Sequence, residues 1–172
     1  MAQLRRLFGT VAIVIVVFGG AAESWSQSSA TTHRTSAPRE PVAEARSLME
    51  LAERGDARAQ ARLGFMYATG YGVPQSFAVA AALYRRSAEH GNPTAQYLLG
   101  LAYDKGQGVP RDEVLAYVWL DLAAGGASRR DRDFYARLRD AVATKMTVAQ
   151  VAYAQALAIE WAPVRSRRGY GF

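Results

Sequence analysis

The sequence predicts an all-α fold: a short right-handed α-solenoid of about seven helices arranged in antiparallel pairs. The first observation is an internal repeat, because residues 52–88 align with residues 88–124 after a shift of 36 positions. Periods of roughly 20–50 residues are typical of stacked supersecondary units. The second observation is that apolar residues within each repeat recur at helical spacing. The identical pairs are Gly55/Gly91, Ala59/Ala95, Gln60/Gln96, Leu63/Leu99, Gly64/Gly100, Tyr67/Tyr103 and Ala80/Ala116.

The chain opens with the pattern of a secretory signal peptide over residues 1–26. Arg5 and Arg6 precede an apolar run, residues 7–22, which is followed by small residues suited to cleavage. The run of about 16 residues is shorter than the roughly 20 that a membrane-spanning helix requires. We therefore expect a periplasmic or secreted protein, with an uncleaved inner-membrane anchor at residues 7–22 as the alternative.

A linker and a basic tail flank the folded part, which we expect over residues 42–162. Residues 27–41 are rich in Ser, Thr, Ala and Pro and lack apolar periodicity, as in a disordered linker. Residues 163–172 carry three arginines and are predicted to be a disordered tail, with binding to an anionic membrane or acidic polymer as the alternative.

Composition limits the class of partner. The formal charge is +6, but the cations are not gathered with aromatic residues along one surface, so nucleic acid is not a predicted partner. Cysteine is absent, which excludes disulfides, thiolate nucleophiles and sulfur-based metal sites. A fold held by packing alone is expected.

The helices can be placed from their capping residues. A half-repeat, residues 43–55, supplies one helix before the two full repeats. In each repeat the first helix follows Asp56 or Asn92, and the second begins at Ser76 or Asp112. Side chains of these types accept hydrogen bonds from the free N–H groups of a first helical turn. Each repeat is therefore predicted to be a helix hairpin.

The segment 127–162 departs from the repeat pattern and is predicted to cap the stack. A charged helix is expected from Arg130 to about Thr144. Thr147 and Gln150 have the spacing of a capping box, which would open a final helix that runs to about Trp161. We expect these ends of the solenoid to be polar.

The pentapeptides GYGVP and GQGVP end the first helix of each repeat. Phosphate-binding loops also contain two glycines one residue apart, but they follow a strand and need a third glycine or a G-K-[ST] ending. Here a helix precedes the glycines, and a proline follows them. We therefore predict structural helix-to-helix turns, in which glycine supplies positive φ angles, at Gly70, Gly72, Gly106 and Gly108.

No group of residues indicates catalysis or a bound metal ion. His90 has no histidine or acidic residue three or four positions further on, and His33 lies in the linker. The acidic pair at Asp112 and Glu113 suits an opening helical turn, and the pair at Asp131 and Asp133 suits a solvated helix face. We expect no cofactor, no metal ion and no enzymatic activity.

The repeated motifs A-Q-x-x-L-G-x-x-Y and G-x-G-V-P, with a second helix ending in A-A, resemble the Sel1-like repeat, a relative of the tetratricopeptide repeat. The resemblance covers roughly residues 43–124, and residues 141–161 are similar to the C-terminal cap of many exported bacterial members. The third unit lacks both motifs. The resemblance implies a non-enzymatic adaptor of the bacterial cell envelope that binds a protein or peptide. We expect the chain to be a monomer. An envelope hydrolase that acts on β-lactams or peptidoglycan is the alternative, although the chain lacks the cysteines of the relatives linked to β-lactams.

The partner is expected on the first helix of each repeat, because first helices line the concave surface in solenoids of this kind. Taking Leu63 as the core direction, the outward positions carry apolar residues where exposure is expected. An alternative is that the N-terminal helix or the C-terminal cap folds across these positions and buries them. The predicted partner-binding residues are Arg58, Arg62, Phe65, Tyr97, Leu98 and Leu101.

Overall fold

The structure, a computed structural model, describes residues 39–162, with side chains from residue 40 onward. Within this range the chain forms seven helices and no strand, which confirms the all-α prediction. The helices are α1 (Arg39–Glu53), α2 (Ala57–Thr69), α3 (Phe77–Glu89), α4 (Pro93–Lys105), α5 (Glu113–Gly126), α6 (Arg129–Ala143) and α7 (Val148–Trp161).

The first helix begins earlier than the sequence pattern predicts. α1 starts at Arg39, three residues before the predicted start of the folded part, and so includes the end of the predicted linker. Pro41 lies in the first turn, where N–H groups have no helical acceptor, so proline costs no hydrogen bond there. The negative charge of Glu40 is favoured in the same turn by the helix dipole. The predicted signal peptide, the rest of the linker with His33, and the basic tail lie outside the described residues.

The capping residues act as predicted. The side chain of Asp56 accepts a hydrogen bond from the N–H of Ala59 at 2.8 Å, and that of Asn92 accepts one from Ala95 at 3.0 Å. Asp112 caps α5 in the same way. The capping box of α7 is present in both directions, between the Thr147 side chain and the Gln150 N–H and between the Gln150 side chain and the Thr147 N–H.

Each helix from α1 to α5 packs on the next one, and α7 returns to pack on α5. The contacts join α1 to α2, α2 to α3, α3 to α4, α4 to α5, α5 to α6, and α5 to α7. The largest core cluster extends from α2 to α7, and its most deeply buried large side chains are Leu99, Val118 and Leu120. α5 therefore lies at the centre of the C-terminal half.

The two helices of a repeat approach closely because the first one carries glycine at the crossing point. A Cβ atom at Gly64 would lie 2.7 Å from the ring of Tyr84 and 3.2 Å from the carbonyl oxygen of Ala80. Gly100 is placed in the same way against Leu120 and the carbonyl oxygen of Ala116. The same close approach is therefore present in both repeats.

The repeated glutamine joins one hairpin to the next. Nε2 of Gln60 donates a hydrogen bond to the carbonyl of Ala52 at 3.1 Å, and Nε2 of Gln96 donates one to the carbonyl of Ala88 at 3.2 Å. Both carbonyls lie in the last turn of the preceding helix, where each also accepts a turn hydrogen bond from the glycine three residues further on. The A-Q motif thus supplies a side-chain cap to the helix before it.

The GxGVP turns join the hairpins at their other end. Gly70, Gly72, Gly106 and Gly108 all have φ between +67° and +75°, which confirms the predicted positive φ. A Cβ atom at Gly108 would overlap the carbonyl of Phe77, at the start of α3, and lie 2.7 Å from the N atom of Ala78. Gly72 meets the carbonyl of Pro41 in α1 in the same way. The second glycine of each turn therefore packs on the backbone of the preceding repeat.

The prediction of polar ends is wrong for α7. Val148 is 88% exposed and Ile159 is 72% exposed, although both are large and apolar. The cause is the composition of this helix, VAQVAYAQALAIEW, in which Glu160 is the single charged residue. Packing against α5 buries Ala154 and Ala158 and leaves the opposite apolar face uncovered.

We expect Gly108→Ala to destabilise the fold more than Gly106→Ala. Both substitutions place alanine at a positive φ, which costs about 1–2 kcal/mol. At position 106 the nearest atom to the new Cβ is at 3.4 Å, whereas at position 108 the Cβ overlaps backbone. Overpacking of this kind adds about 1–3 kcal/mol. Urea unfolding of the two variants measures the difference, and equal midpoints would contradict the tight contact at Gly108.

We expect the stability of the fold to fall between pH 10 and about pH 12 through Tyr84. Burial raises the pKa of this phenol from 10.0 to about 12, so the folded state keeps a proton that the unfolded state releases. The contribution is fully present below pH 10 and is lost as the pH rises towards the folded-state pKa, by about 2–3 kcal/mol in total. Urea midpoints at pH 9.5 and 11.5 measure the loss, and it should be smaller in Tyr84→Phe, which cannot ionise.

Candidate partner-binding groove

An open groove of about 710 Å³ runs between the first helices of the two repeats. One wall is α2 and the other is the N-terminal half of α4, while α1 contributes at one side. The lining residues are Glu44, Arg58, Ala61, Arg62, Phe65, Met66, Tyr71, Asn92, Pro93, Thr94 and Leu98.

Helical spacing explains which side chains reach the groove. Arg58, Arg62 and Phe65 are four and three residues apart, so they follow one another along one side of α2. Ala59 and Leu63 point the other way, into the core shared with α1. The equivalent positions on α4, 36 residues later, are Thr94, Leu98 and Leu101. The two walls of the groove are therefore the same face of two equivalent helices.

The apolar part of the groove is formed by Phe65, which is 52% exposed, and Leu98, which is half-buried. A smaller pocket of about 120 Å³ continues from these two residues towards α3, and Leu101 and Phe77 contribute to its lining. Five of the six predicted partner-binding residues thus lie on one continuous surface.

The charged part of the groove contains two arginines with different surroundings. Arg62 forms an ion pair and a hydrogen bond with the carboxylate of Glu44 on α1. Both side chains are partly exposed, and exposed pairs of this kind contribute about 0–1 kcal/mol to stability. Arg58 forms no ion pair with any residue of the range 39–162. One cation of the groove is therefore held by α1 and the other is available to solvent.

Tyr97 does not belong to this groove. Its ring stacks on Tyr135 of α6, with centroids 4.9 Å apart, and contacts the edge of Phe134 at 5.8 Å. Burial and the neighbouring Tyr135 raise the pKa of Tyr97. Position 97 is equivalent to Ala61, and α6 stands beside it where α4 stands beside Ala61. At Tyr97 the C-terminal cap therefore covers the outward face of the first helix, as in the alternative given by the sequence analysis.

Seven residues that line the groove are not among the predicted partner-binding residues: Glu44, Ala61, Met66, Tyr71, Asn92, Pro93 and Thr94. The repeat could have indicated Pro93, because Pro93 directly precedes Thr94, and Thr94 is equivalent to Arg58. Nothing in the sequence relates Glu44 to Arg62, because they lie 18 residues apart on different helices. Their pairing depends on how α1 packs against α2.

His90 and the two acidic pairs considered in the sequence lie outside the groove. Within residues 39–162 no three His, Cys, Asp or Glu side chains are grouped as metal ligands. A ring nitrogen of His90 hydrogen-bonds the carbonyl of Arg86, one helical turn earlier. Asp112 caps α5, and Asp131 accepts a hydrogen bond from Ser128. None of the helices α1 to α7 has the length and apolar character needed to cross a membrane.

Among residues 39–162, the side chains with shifted pKa values do not converge on the groove. They are Tyr84, Tyr97 and Arg139, and none of them lines it. Arg139 bridges Asp121 at 2.6 Å and Asp140 at 2.8 Å, which ties α6 to α5. A cleft of converging, perturbed polar groups would favour the hydrolase alternative. Tyr84, Tyr97 and Arg139 do not form such a cleft.

We expect Tyr97→Ala and Phe65→Ala to separate the packed position from the groove position. Loss of the Tyr97 ring removes the contacts with α6 and should cost about 2 kcal/mol or more of unfolding free energy. Loss of the half-exposed Phe65 ring should change the unfolding free energy by about 0.5 kcal/mol or less. Urea unfolding followed by circular dichroism measures both. Equal destabilisation would show that Phe65 is also a core residue.

Comparisons with known proteins agree with this architecture. Residues 57–92 and 93–126 match the Sel1 repeat family. No curated protein matches the chain. A Sel1 repeat protein from Oxalobacter formigenes is 44% identical over 55% of this chain and 69% of its own length, with a TM-score of 0.50.

A protective antigen of uropathogenic Escherichia coli strains, which displays an SLR fold, is 29% identical over 74% of this chain, with a TM-score of 0.65. The chain spans 28% of the length of that antigen. Sel1 repeats usually serve in protein–protein interaction. The two matched repeats, the helix hairpins that they form and the likeness to the Oxalobacter protein establish that this chain belongs to the Sel1 repeat family.

Proposed function

We propose that this protein is a non-enzymatic interaction module of the bacterial cell envelope, which holds a segment of a partner protein in the groove between α2 and α4. The observation that carries the proposal is the exposed ring of Phe65 beside Leu98 in an open groove rimmed by Arg58 and Arg62. Large apolar side chains exposed together on a soluble fold mark interaction sites. Aromatic and arginine side chains are also the residues that most often dominate binding energy at interfaces.

The dimensions of the groove suit a peptide segment. Its volume of about 710 Å³ is within the range of roughly 300–1,000 Å³ that is typical of ligand clefts. The groove is open along α2 and α4, so an extended chain could enter without a conformational change. Its walls belong to helices whose opposite faces are packed in the core, which keeps the binding residues in place.

The envelope location rests on the sequence of residues 1–26, which has the charge, apolar run and small residues of a secretory signal. The non-enzymatic role is supported by the groove lining, in which the single carboxylate, that of Glu44, is paired with Arg62. Repeat proteins of this family usually bind other proteins. These three observations support the proposal independently of one another.

Site-specific cross-linking tests the proposal. Replacement of Phe65 by the photoreactive residue benzoylphenylalanine puts the probe in the groove with little change of shape. We expect light to produce one discrete adduct in the periplasmic and membrane fractions of cells that produce the full chain. The adduct should disappear when Thr94→Trp is added, because the indole fills the groove from an exposed position and removes no core contact.

The matched control places the same probe at Tyr153, an exposed aromatic residue on α7 outside the groove. This probe should not give the adduct. The same adduct from both positions, or an adduct at Phe65 that is insensitive to Thr94→Trp, would contradict binding in the groove.

A further inference from the structure

We propose that the groove selects a partner segment in which a carboxylate lies about three residues from an apolar side chain, and that in the free protein Glu44 holds one of the two arginines that this carboxylate would bind. This inference rests on the proposed function and specifies the chemistry of the partner. The observations that carry it are the order of residues along the groove and the ion pair between Arg62 and Glu44.

The groove has a cationic end and an apolar end. On α2, Arg58 comes first, Arg62 follows one turn later, and Phe65 follows one further turn along the same face. On the facing wall, the exposed Thr94 stands at the position equivalent to Arg58, and Leu98 and Leu101 continue the apolar end. A partner that satisfies both ends needs an acidic group and an apolar group.

The helix rise sets the spacing between these two groups. Each helical residue advances about 1.5 Å, so the backbone positions of Arg58 and Phe65, seven residues apart, are separated by about 10 Å along α2. An extended peptide advances about 3.3 Å per residue, so three residues cover the same distance. A partner residue pair of Asp or Glu with Phe, Leu or Met, about three positions apart, therefore fits the groove in register.

The local charges favour an anionic partner group over a cationic one. Arg58 has no ion-pair partner among residues 39–162, and Arg62 is satisfied by one carboxylate from α1. This end of the groove thus carries two positive charges, those of Arg58 and Arg62, and one negative charge, that of Glu44. An incoming carboxylate pairs with Arg58, and it also reaches Arg62 when Glu44 is displaced.

The contact between Arg62 and Glu44 is suited to exchange. The Arg62 side chain is 67% exposed, so solvent and a partner reach it without movement of the helices. An exposed ion pair is only slightly more stable than the two charges separately in water, so little free energy is lost when it opens. A partner carboxylate that replaces Glu44 also restores an ion pair to Arg62. Glu44 therefore acts as an internal competitor that a stronger, two-point ligand displaces.

An acidic peptide fits the groove better than a lipid headgroup or a nucleic acid. Phosphate groups would satisfy the arginines but leave the ring of Phe65 and the side chain of Leu98 without an apolar partner. A peptide brings both groups on one chain, and its direct pairing with Arg58 gains from the neighbouring Arg62. Electrostatic complementarity of this kind fixes register and partner choice.

Peptide selection on the full chain tests the inference. The probe is a displayed library of random 12-residue peptides, and the recovered peptides are made synthetically with a fluorescent label for anisotropy titrations. We expect the recovered sequences to share Asp or Glu about three residues from Phe, Leu or Met. Replacement of the acidic residue by its amide should weaken binding about tenfold, and Arg58→Ala should weaken binding by a similar factor.

The protein variants identify which part of the inference holds. With the amide peptide, Arg58→Ala should cause little further loss, because the pair is already broken. Glu44→Gln should strengthen binding of the acidic peptide severalfold by freeing Arg62. Arg86→Ala, an exposed arginine on α3 away from the groove, is the matched control and should leave the affinity unchanged.

The outcomes distinguish this inference from the proposed function. Recovered peptides without acidic residues, or an affinity that Arg58→Ala does not change, would overturn the carboxylate preference, while sensitivity to Thr94→Trp would keep the groove as the binding site. Failure to recover any peptide that Thr94→Trp blocks would count against both. Binding to vesicles of anionic phospholipid that Arg58→Ala removes, without recovery of an acidic peptide, would assign the arginines to a membrane surface and also overturn the inference.

Discussion

The stacking of successive hairpins depends on backbone contact at the second glycine of the GxGVP turn. Gly108 lies on the carbonyl of Phe77 at the start of α3, where no side chain fits. At the other end of the same interface, Gln96 donates to the carbonyl of Ala88, which closes the end of α3. Both ends of α3 are thus fixed to the next repeat at a nearly constant distance. At the start of α3 the Gly108 backbone is in steric contact with the carbonyl of Phe77, and at its end the Gln96 side chain forms a buried hydrogen bond.

The groove is a consequence of this stacking. With both ends of α3 fixed, α2 and α4 are held on the same side of the molecule at a separation that the side chains of Phe65 and Leu98 do not fill. At the next interval α6 occupies the corresponding place and brings Tyr135 against Tyr97. The same repeat face is therefore open between the two Sel1 repeats and closed where the C-terminal cap begins. The difference lies in the neighbouring helix and not in the repeat itself.

The helices and turns could be predicted from the sequence because they depend on interactions between residues close together in the chain. Asp56 and Asn92 cap helices through hydrogen bonds to N–H groups three residues away, and the turn glycines need only their own φ. The start of α1 was missed because Pro41 suits a linker as well as a first helical turn. The polar ends predicted for the solenoid were wrong at α7, because a terminal helix that packs through alanines against α5 can remain apolar on its outer face.

The sequence by itself determined the repeat, the hairpin and the side of α2 that carries Arg58, Arg62 and Phe65, since all of these follow from spacing along one helix or one period. Only the tertiary structure decided which of the outward residues remain open. Tyr97 is covered by α6, and Arg62 is paired with Glu44 across 18 residues of sequence. Such contacts depend on the packing of whole helices against one another, and helical periodicity carries no information about which neighbour will stand beside a given face.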